Sequence, residues 1–228
     1  MCYKVLFMKE TNPVRPGHPG GQQPEETLQD IRQMMERSSR FISLSGLSGI
    51  AAGAIALAGA WLAGRILDNY YGSYNSRGFF TGDDFGRLKI KLIGLAAAVF
   101  AAAFISSFYF TWRRARRQHV SLWGPVSKRL FWNMSVPLLA GAGFILAMLR
   151  YDDWGYVSSA CLIFYGLALI NASKYTLTDI RYLGYYEIIL GLVNMFYTGY
   201  GLYFWAAGFG LLHIIYGVAM WNKYERKG

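Results

Sequence analysis

The chain has few of the residues that build disulfide-linked, metal-binding or enzymatic sites. It contains two cysteines, Cys2 and Cys161, and three histidines among 228 residues. The cysteines lie far apart in the sequence, so a disulfide framework and Cys-based metal spacing are both absent. A Walker phosphate-binding sequence and a G-x-S-x-G nucleophile motif are missing as well. We therefore expect no metal, no cofactor, no catalytic residue and a protein that is not an enzyme.

Charged residues are also scarce, at 16% of the chain, whereas 54% of the residues are hydrophobic and 17% aromatic. Several apolar runs reach the length of about 20 residues that crosses a bilayer as a helix. The formal net charge is +10. In a chain of this composition, the positive-inside rule accounts for that charge better than nucleic-acid binding does, and we expect no nucleic-acid partner.

The apolar runs predict an all-α integral membrane protein with six transmembrane helices within residues 41–221. The predicted spans are 41–64, 88–112, 130–149, 156–173 and the two helices of a last hairpin, 182–221. Most of the 23 Lys and Arg residues fall on one side of this arrangement. That bias predicts that both termini are cytoplasmic. Residues 65–87 are predicted to be an outside loop, and residues 222–228 a basic cytoplasmic tail.

One basic cluster is the strongest topological signal. It lies in the predicted inside loop 113–129, and we expect it to contact the headgroups of a bilayer with anionic lipids. The candidate contact residues are Arg113, Arg114, Arg116 and Arg117.

The N-terminal region changes character twice. Residues 1–24 are rich in Pro, Gly and Gln and are predicted to be disordered. Residues 25–40 repeat apolar side chains at helical spacing, which predicts an amphipathic helix on the membrane surface. The competing interpretation is a docking helix for a protein partner. The first apolar run begins only near Phe41, so no cleavable signal peptide is expected, and Met8 is an alternative start.

Small residues mark two helix faces for close packing. On the first span they are Ser45, Gly49 and Gly53, and on the fifth they are Gly184 and Gly191. The sequence leaves open whether the partner of the first face lies in the same chain or in a second copy. A homodimer is therefore one of the expected alternatives.

The last hairpin carries the candidate polar site, consisting of Glu187, His213 and Asn194. Glu187 and His213 are the acidic residue and the histidine that lie inside apolar runs. At ~1.5 Å per residue, both lie in the same half of the bilayer if the two helices are antiparallel neighbours. Ionisable groups inside a membrane are expensive and often functional. The alternatives are polar groups that only lock helix packing, and a site that binds a proton or a ligand.

Residues 163–175 and 214–224 look alike, and a constant shift matches Tyr165 with Tyr216 and Gly166 with Gly217. Transporter folds are often built from such repeats. We therefore consider an internal duplication of two helical hairpins as one interpretation.

The segment Met35 to Gly49, MERSSRFISLSGLSG, resembles a family of uncharacterised bacterial polytopic membrane proteins. These proteins share a surface helix that leads into a Ser/Gly-rich first span. The resemblance implies a multi-pass protein of the bacterial cytoplasmic (inner) membrane, and it supplies no activity.

Two functions follow from these observations. The first, which the sequence favours, is a binding or regulatory membrane module that acts through a partner, using residues 25–40 and the basic loop. The alternative is a small proton-coupled transporter or carrier that uses the intramembrane Glu187/His213 pair.

Overall fold

The computed structural model describes residues 45–77, 82–117 and 124–226, and within these ranges the chain is helical with no strand. The predictions for residues 1–24 and 25–40 lie outside the described residues. The elements are α1 (Gly46–Arg77), α2 (Gly82–Arg117), α3 (Pro125–Arg150), α4 (Val157–Ala172) and α5 (Ile180–Phe196). A last helix follows in three parts: α6 (Gly201–Trp205), a π-helical segment (Ala206–Leu212) and α7 (His213–Tyr224).

Five helical stretches among the described residues are long and apolar enough to cross a membrane: Gly46–Gly72, Asp84–Arg117, Pro125–Arg150, Trp154–Ala172 and Thr198–Tyr224. This composition agrees with a membrane protein. The 17-residue α5 is not among them. At 1.5 Å per residue it is about 25 Å long, slightly less than the hydrocarbon core of about 30 Å.

The predicted loop 65–87 is largely helical, and that prediction was wrong. α1 continues to Arg77 and α2 begins at Gly82. The segment is polar and rich in Tyr and Asn, but it has no proline to end a helix. Polarity marks the end of the apolar layer and does not stop helical hydrogen bonding. The basic residues 113–117 likewise belong to α2, and α7 extends to Tyr224 within the predicted tail.

The small-residue face of α1 packs against the last helix of the same chain. A Cβ added at Gly46 would lie 2.5 Å from the carbonyl oxygen of Gly217, and one at Gly53 would lie 2.6 Å from that of Gly210. The Cβ of an added side chain at Gly49 would lie 3.2 Å from the Cα of Gly217. This face is therefore filled from within the chain, which leaves no room on it for a second copy.

α4 and α5 cross in the same way. An added Cβ at Gly166 would lie 2.6 Å from the carbonyl oxygen of Gly184, and one at Gly184 would lie 2.7 Å from that of Gly166. Further along, a Cβ at Gly191 would lie 3.0 Å from the carbonyl oxygen of Ser159. Residues further along α5 contact residues earlier in α4, so the two helices are antiparallel.

One end of the bundle joins the start of α1, the end of α2 and the end of α7. The Glu225 carboxylate accepts a hydrogen bond from the Gly46 backbone N–H at 2.5 Å and one from the Ser45 hydroxyl at 3.2 Å. Arg114 donates to the same carboxylate oxygen at 2.8 Å. An anion on the first N–H groups of a helix is favourable because the helix dipole is positive there. Asp179, between α4 and α5, accepts from Lys223 at this end as well.

Lys89 of α2 and Asp152, at the turn between α3 and α4, form an ion pair at the opposite end. The helices thus alternate in direction from α1 onwards. Most of the large apolar side chains of α2 and α3 are exposed, among them Ile90, Phe100, Phe104, Phe131 and Leu139. That surface suits lipid tails, which are as apolar as these side chains.

Candidate functional site

Glu187 lies in the middle of the packed helices. Its relative exposure is 0%. It belongs to α5, one turn after Gly184, on the face that packs against α4. An added Cβ at Gly208 would lie 2.5 Å from Oε2 of Glu187, so the absence of a side chain at Gly208 makes room for the carboxyl group. Small residues on two neighbouring helices thus allow a carboxylic acid to sit between their backbones.

His213 begins α7, directly after the π-helical segment, and it is 7% exposed. Its Nε2 lies 2.8 Å from the Tyr165 hydroxyl of α4, and its Nδ1 lies 3.0 Å from the Gly208 carbonyl oxygen. A carbonyl only accepts, so Nδ1 carries the proton and donates it. Nε2 then accepts from the Tyr165 O–H. Both nitrogens of a neutral imidazole are satisfied in this tautomer.

The Glu187 carboxyl is the unsatisfied member of the group. Its Oε1 is 3.4 Å from Nδ1 of His213. Neither carboxyl oxygen has a hydrogen-bond partner among the described residues, because the Nδ1 proton points at the nearer Gly208 carbonyl. Buried polar atoms are normally bonded, and one that is not needs an explanation. We define Glu187, His213 and Tyr165 as the intramembrane triad.

The groups around the triad are few. The titratable side chains of α4 are Cys161 and Tyr165, and the π-helical segment contributes none. Phe209 lies beside the rings, with its centroid 5.1 Å from that of Tyr165 and 6.0 Å from that of His213. α4 and the π-helical segment therefore bring no charged side chain to the triad.

Asn194, the third predicted site residue, is 0% exposed but belongs to a separate cluster. It lies two turns beyond Glu187 on α5. We assign its amide so that the oxygen accepts from Ser159 Oγ at 3.0 Å and the nitrogen donates to the Tyr197 carbonyl oxygen at 3.3 Å, since this satisfies both ends of the group. The neighbouring Ser158 hydroxyl donates its proton to the Gly201 carbonyl oxygen at 2.7 Å. Every polar group of this cluster is bonded, which is the pattern of a packing lock.

The other predicted site residues separate into two sets. Gly49, Gly53, Gly184 and Gly191 lie at helix crossings within the chain. Ser45 precedes α1 and bonds Glu225. Among the basic residues, Arg114 is held by Glu225, while the Arg116 guanidinium lies 4.7 Å from the centre of the Trp112 ring. Arg113, Arg116 and Arg117 are exposed and remain the candidates for headgroup contact.

Sequence reasoning missed Tyr165 and the π-helical segment as parts of the site. Tyr165 could have been recognised from the sequence, because a tyrosine in the middle of a predicted span is unusual. Nothing in Ala206–Leu212 signals π geometry. Within the described part of the chain, no group of three His, Cys, Asp or Glu residues is placed to hold a metal ion.

Comparisons with protein-family models, with curated proteins and with solved structures give no match for this chain.

Proposed function

We propose that this protein is a small proton-coupled carrier whose intramembrane triad binds and releases a proton. The observation that carries the proposal is the Glu187 carboxyl, fully buried and unbonded at 3.4 Å from His213 Nδ1. A group that served only to lock packing would be hydrogen-bonded, as Asn194 is. An unbonded acid next to a histidine is instead a place where a proton can move.

The charge balance of the triad supports coupling. With one proton shared between Glu187 and His213, the pair is neutral overall, whichever of the two holds it. When that proton leaves, one negative charge remains among apolar side chains. An uncompensated buried ion costs several kcal/mol. Proton release therefore requires water, a cationic group of a solute or a change in helix packing to compensate the charge.

The same proposal places six spans in the bacterial inner membrane, with both termini cytoplasmic. α5 runs antiparallel to α4 along its length, and α4 lies within a candidate span. α5 therefore crosses the same layer, and the turn Thr198–Tyr200 extends it towards the opposite end. The end that carries Arg114, Arg117, Lys223 and Arg226 is the cytoplasmic one by the positive-inside rule.

The proposal is tested by infrared difference spectra of the protein in lipid nanodiscs across a pH series. We expect a carboxyl band that changes with pH, is lost in Glu187→Gln and has a different midpoint in Tyr165→Phe, because the hydroxyl that bonds His213 is then gone. Asp152→Asn is the matched control, since this carboxyl lies at the bundle end. A Glu187 band that stays in one state over the whole range in which the protein is folded contradicts the proposal.

The partner-dependent regulatory module is the second candidate. The segment 25–40 that it needs lies outside the described residues. One observation favours it: Ser45, which follows shortly after that segment, is bonded to Glu225, and Glu225 also holds Arg114. Residues 25–40 precede Ser45 closely in the sequence, so a partner bound to them would be linked through the chain to this junction of three helix ends. Loss of cellular function on deletion of residues 25–40 but not in Glu187→Gln would favour the module, and the reverse result the carrier.

A further inference from the structure

Tyr216 has a hydroxyl that the triad does not use. The oxygen is buried, and it has no hydrogen-bond partner among the described residues. Tyr216 lies on α7 one turn after His213, which is about 4.5 Å along the axis towards the end of the helix. A buried hydroxyl without a protein partner is a typical position for an ordered water molecule.

Tyr216 lies on α7 between His213 and Tyr224, and both of these residues are hydrogen-bonded to a group outside the helix. Tyr165 bonds His213 at 2.8 Å on the inner side. On the outer side, the Tyr224 hydroxyl donates to Asp179 Oδ2 at 3.1 Å, and Lys223 donates to the same oxygen at 2.6 Å.

One apolar cluster lies beside the three tyrosines. Tyr165, Tyr216 and Tyr224 all pack against it. The buried members of the cluster are Leu169, Leu177, Ile180, Leu183 and Met220. The Tyr216 hydroxyl is buried beside this cluster, and a hydroxyl group can hold a bridging water molecule.

We propose that Tyr216 and Tyr165 relay protons between the Asp179 end of the bundle and Glu187, through a hydrated path along this apolar cluster. This inference rests on the proposed function. It adds that the proton reaches the triad from one end only, the end that carries Asp179 and Lys223. It also assigns Tyr216 as a relay residue, although Tyr216 does not contact Glu187.

The relay conserves protons and charge. When Glu187 is ionised, the Tyr165 hydroxyl gives its proton to Nε2 of His213 while Nδ1 gives its own to Oε1 of Glu187. Tyr165 is reprotonated through water by the Tyr216 hydroxyl, which takes a proton from the Asp179 side. One proton leaves the aqueous end, one arrives on Glu187, His213 is left with its proton on Nε2, and no tyrosine remains charged.

The test measures the rate at which Glu187 changes protonation. The protein in nanodiscs is exposed to a rapid pH jump, and the Glu187 carboxyl band is followed in time. We expect Tyr216→Phe to leave the midpoint of the band nearly unchanged and to slow its relaxation by about 10²-fold, the lower end of what a positioned proton-transfer group contributes. Tyr203→Phe is the control, because this exposed tyrosine lies on α6, before the triad, towards the opposite end.

The outcomes separate the two proposals. A pH-dependent Glu187 band with equal rates in wild type and Tyr216→Phe overturns the relay and leaves the proton site standing. Slowing in Tyr203→Phe and not in Tyr216→Phe places the access path at the other end and overturns the inference as well. A band that does not respond to pH in wild type removes both proposals. If Tyr216→Phe does not fold, Asp179→Asn is measured instead, and an unchanged relaxation rate in that variant counts against the relay.

Discussion

The crossing of α4 and α5 is the contact on which the geometry of the triad depends most directly. Tyr165 stands next to Gly166 on α4, and Glu187 follows Gly184 by one turn on α5. Replacing either glycine with alanine adds a methyl group at this crossing. We expect Gly166→Ala and Gly184→Ala to destabilise the protein and to widen the site.

The size of the effect follows from the distances. The new Cβ of Gly166→Ala would lie 2.6 Å from the Gly184 carbonyl oxygen, whereas ordinary contact begins at 3.4 Å. The obstructing atom belongs to the backbone, so the helices must separate by about 0.8 Å. A gap of 0.5–1 Å removes roughly a quarter to a half of the dispersion energy of each contact it opens. We therefore expect a loss of about 1–3 kcal/mol, the usual range for overpacking.

The assay is reversible unfolding in mixed detergent micelles, followed by tryptophan fluorescence. Gly143→Ala is the matched control, because Gly143 is helical and its added Cβ would meet nothing within 4 Å. The gain of about 0.8–1.0 kcal/mol in helix propensity is common to all the variants, so the difference from the control isolates packing. The double variant Gly166→Ala/Gly184→Ala should cost less than the sum, since one separation accommodates both methyl groups. Single variants as stable as Gly143→Ala would refute this account of the crossing.

Two further predictions concern the inner and outer ends of the proposed path. In Gly208→Ala, the added Cβ would lie 2.5 Å from Oε2 of Glu187. We therefore expect a shifted carboxyl infrared band and a free energy of unfolding about 1–3 kcal/mol lower than that of Gly143→Ala. An unshifted band contradicts this prediction. The hydrogen bond from Lys223 lowers the pKa of Asp179 in the folded protein. The ionised carboxylate therefore stabilises the fold above the unfolded pKa of about 3.9, and this stabilisation is lost as pH falls through the pKa of the folded state. Asp179→Asn should therefore lower the free energy of unfolding by about 0.2–1 kcal/mol at neutral pH and leave it unchanged in acid. Thermal unfolding of both proteins at the two pH values measures this. A stability difference that persists in acid refutes the prediction.

Helical spacing puts Gly184, Glu187, Gly191, Asn194 and Thr198 on one face of the fifth span. The first four are buried, whereas Ile189 and Leu192 are exposed. Thr198 is exposed, because α5 ends at Phe196 and Thr198 belongs to the turn that follows. Comparison of depths within the bilayer brought Glu187 and His213 to the same level, and they lie 3.4 Å apart. These predictions succeed because an α-helix has a fixed period and a fixed rise.

The same spacing fails on the last helix. An α-helical projection of its sequence puts Gly210, His213 and Gly217 on one face. In the structure, Gly210 and Gly217 pack against α1, while the His213 ring contacts Tyr165. The spacing rule assumes α-helical turns throughout, and Ala206–Leu212 is a π-helix. A wider turn rotates every later side chain relative to the earlier ones, so an α-helical projection is wrong from that segment onward.

The π-helical segment also explains why a histidine can serve this site. In π geometry residues i and i+5 are joined along the axis, and His213 is five residues after Gly208. The Nδ1 atom of the ring lies 3.0 Å from the carbonyl oxygen of Gly208, and the missing side chain of Gly208 leaves room for Glu187 beside it. One irregular turn thus fixes the tautomer of His213 and admits the acid beside it. Return of this segment to α-helical geometry would move His213 off the Gly208 carbonyl and free Nδ1 to bond Glu187.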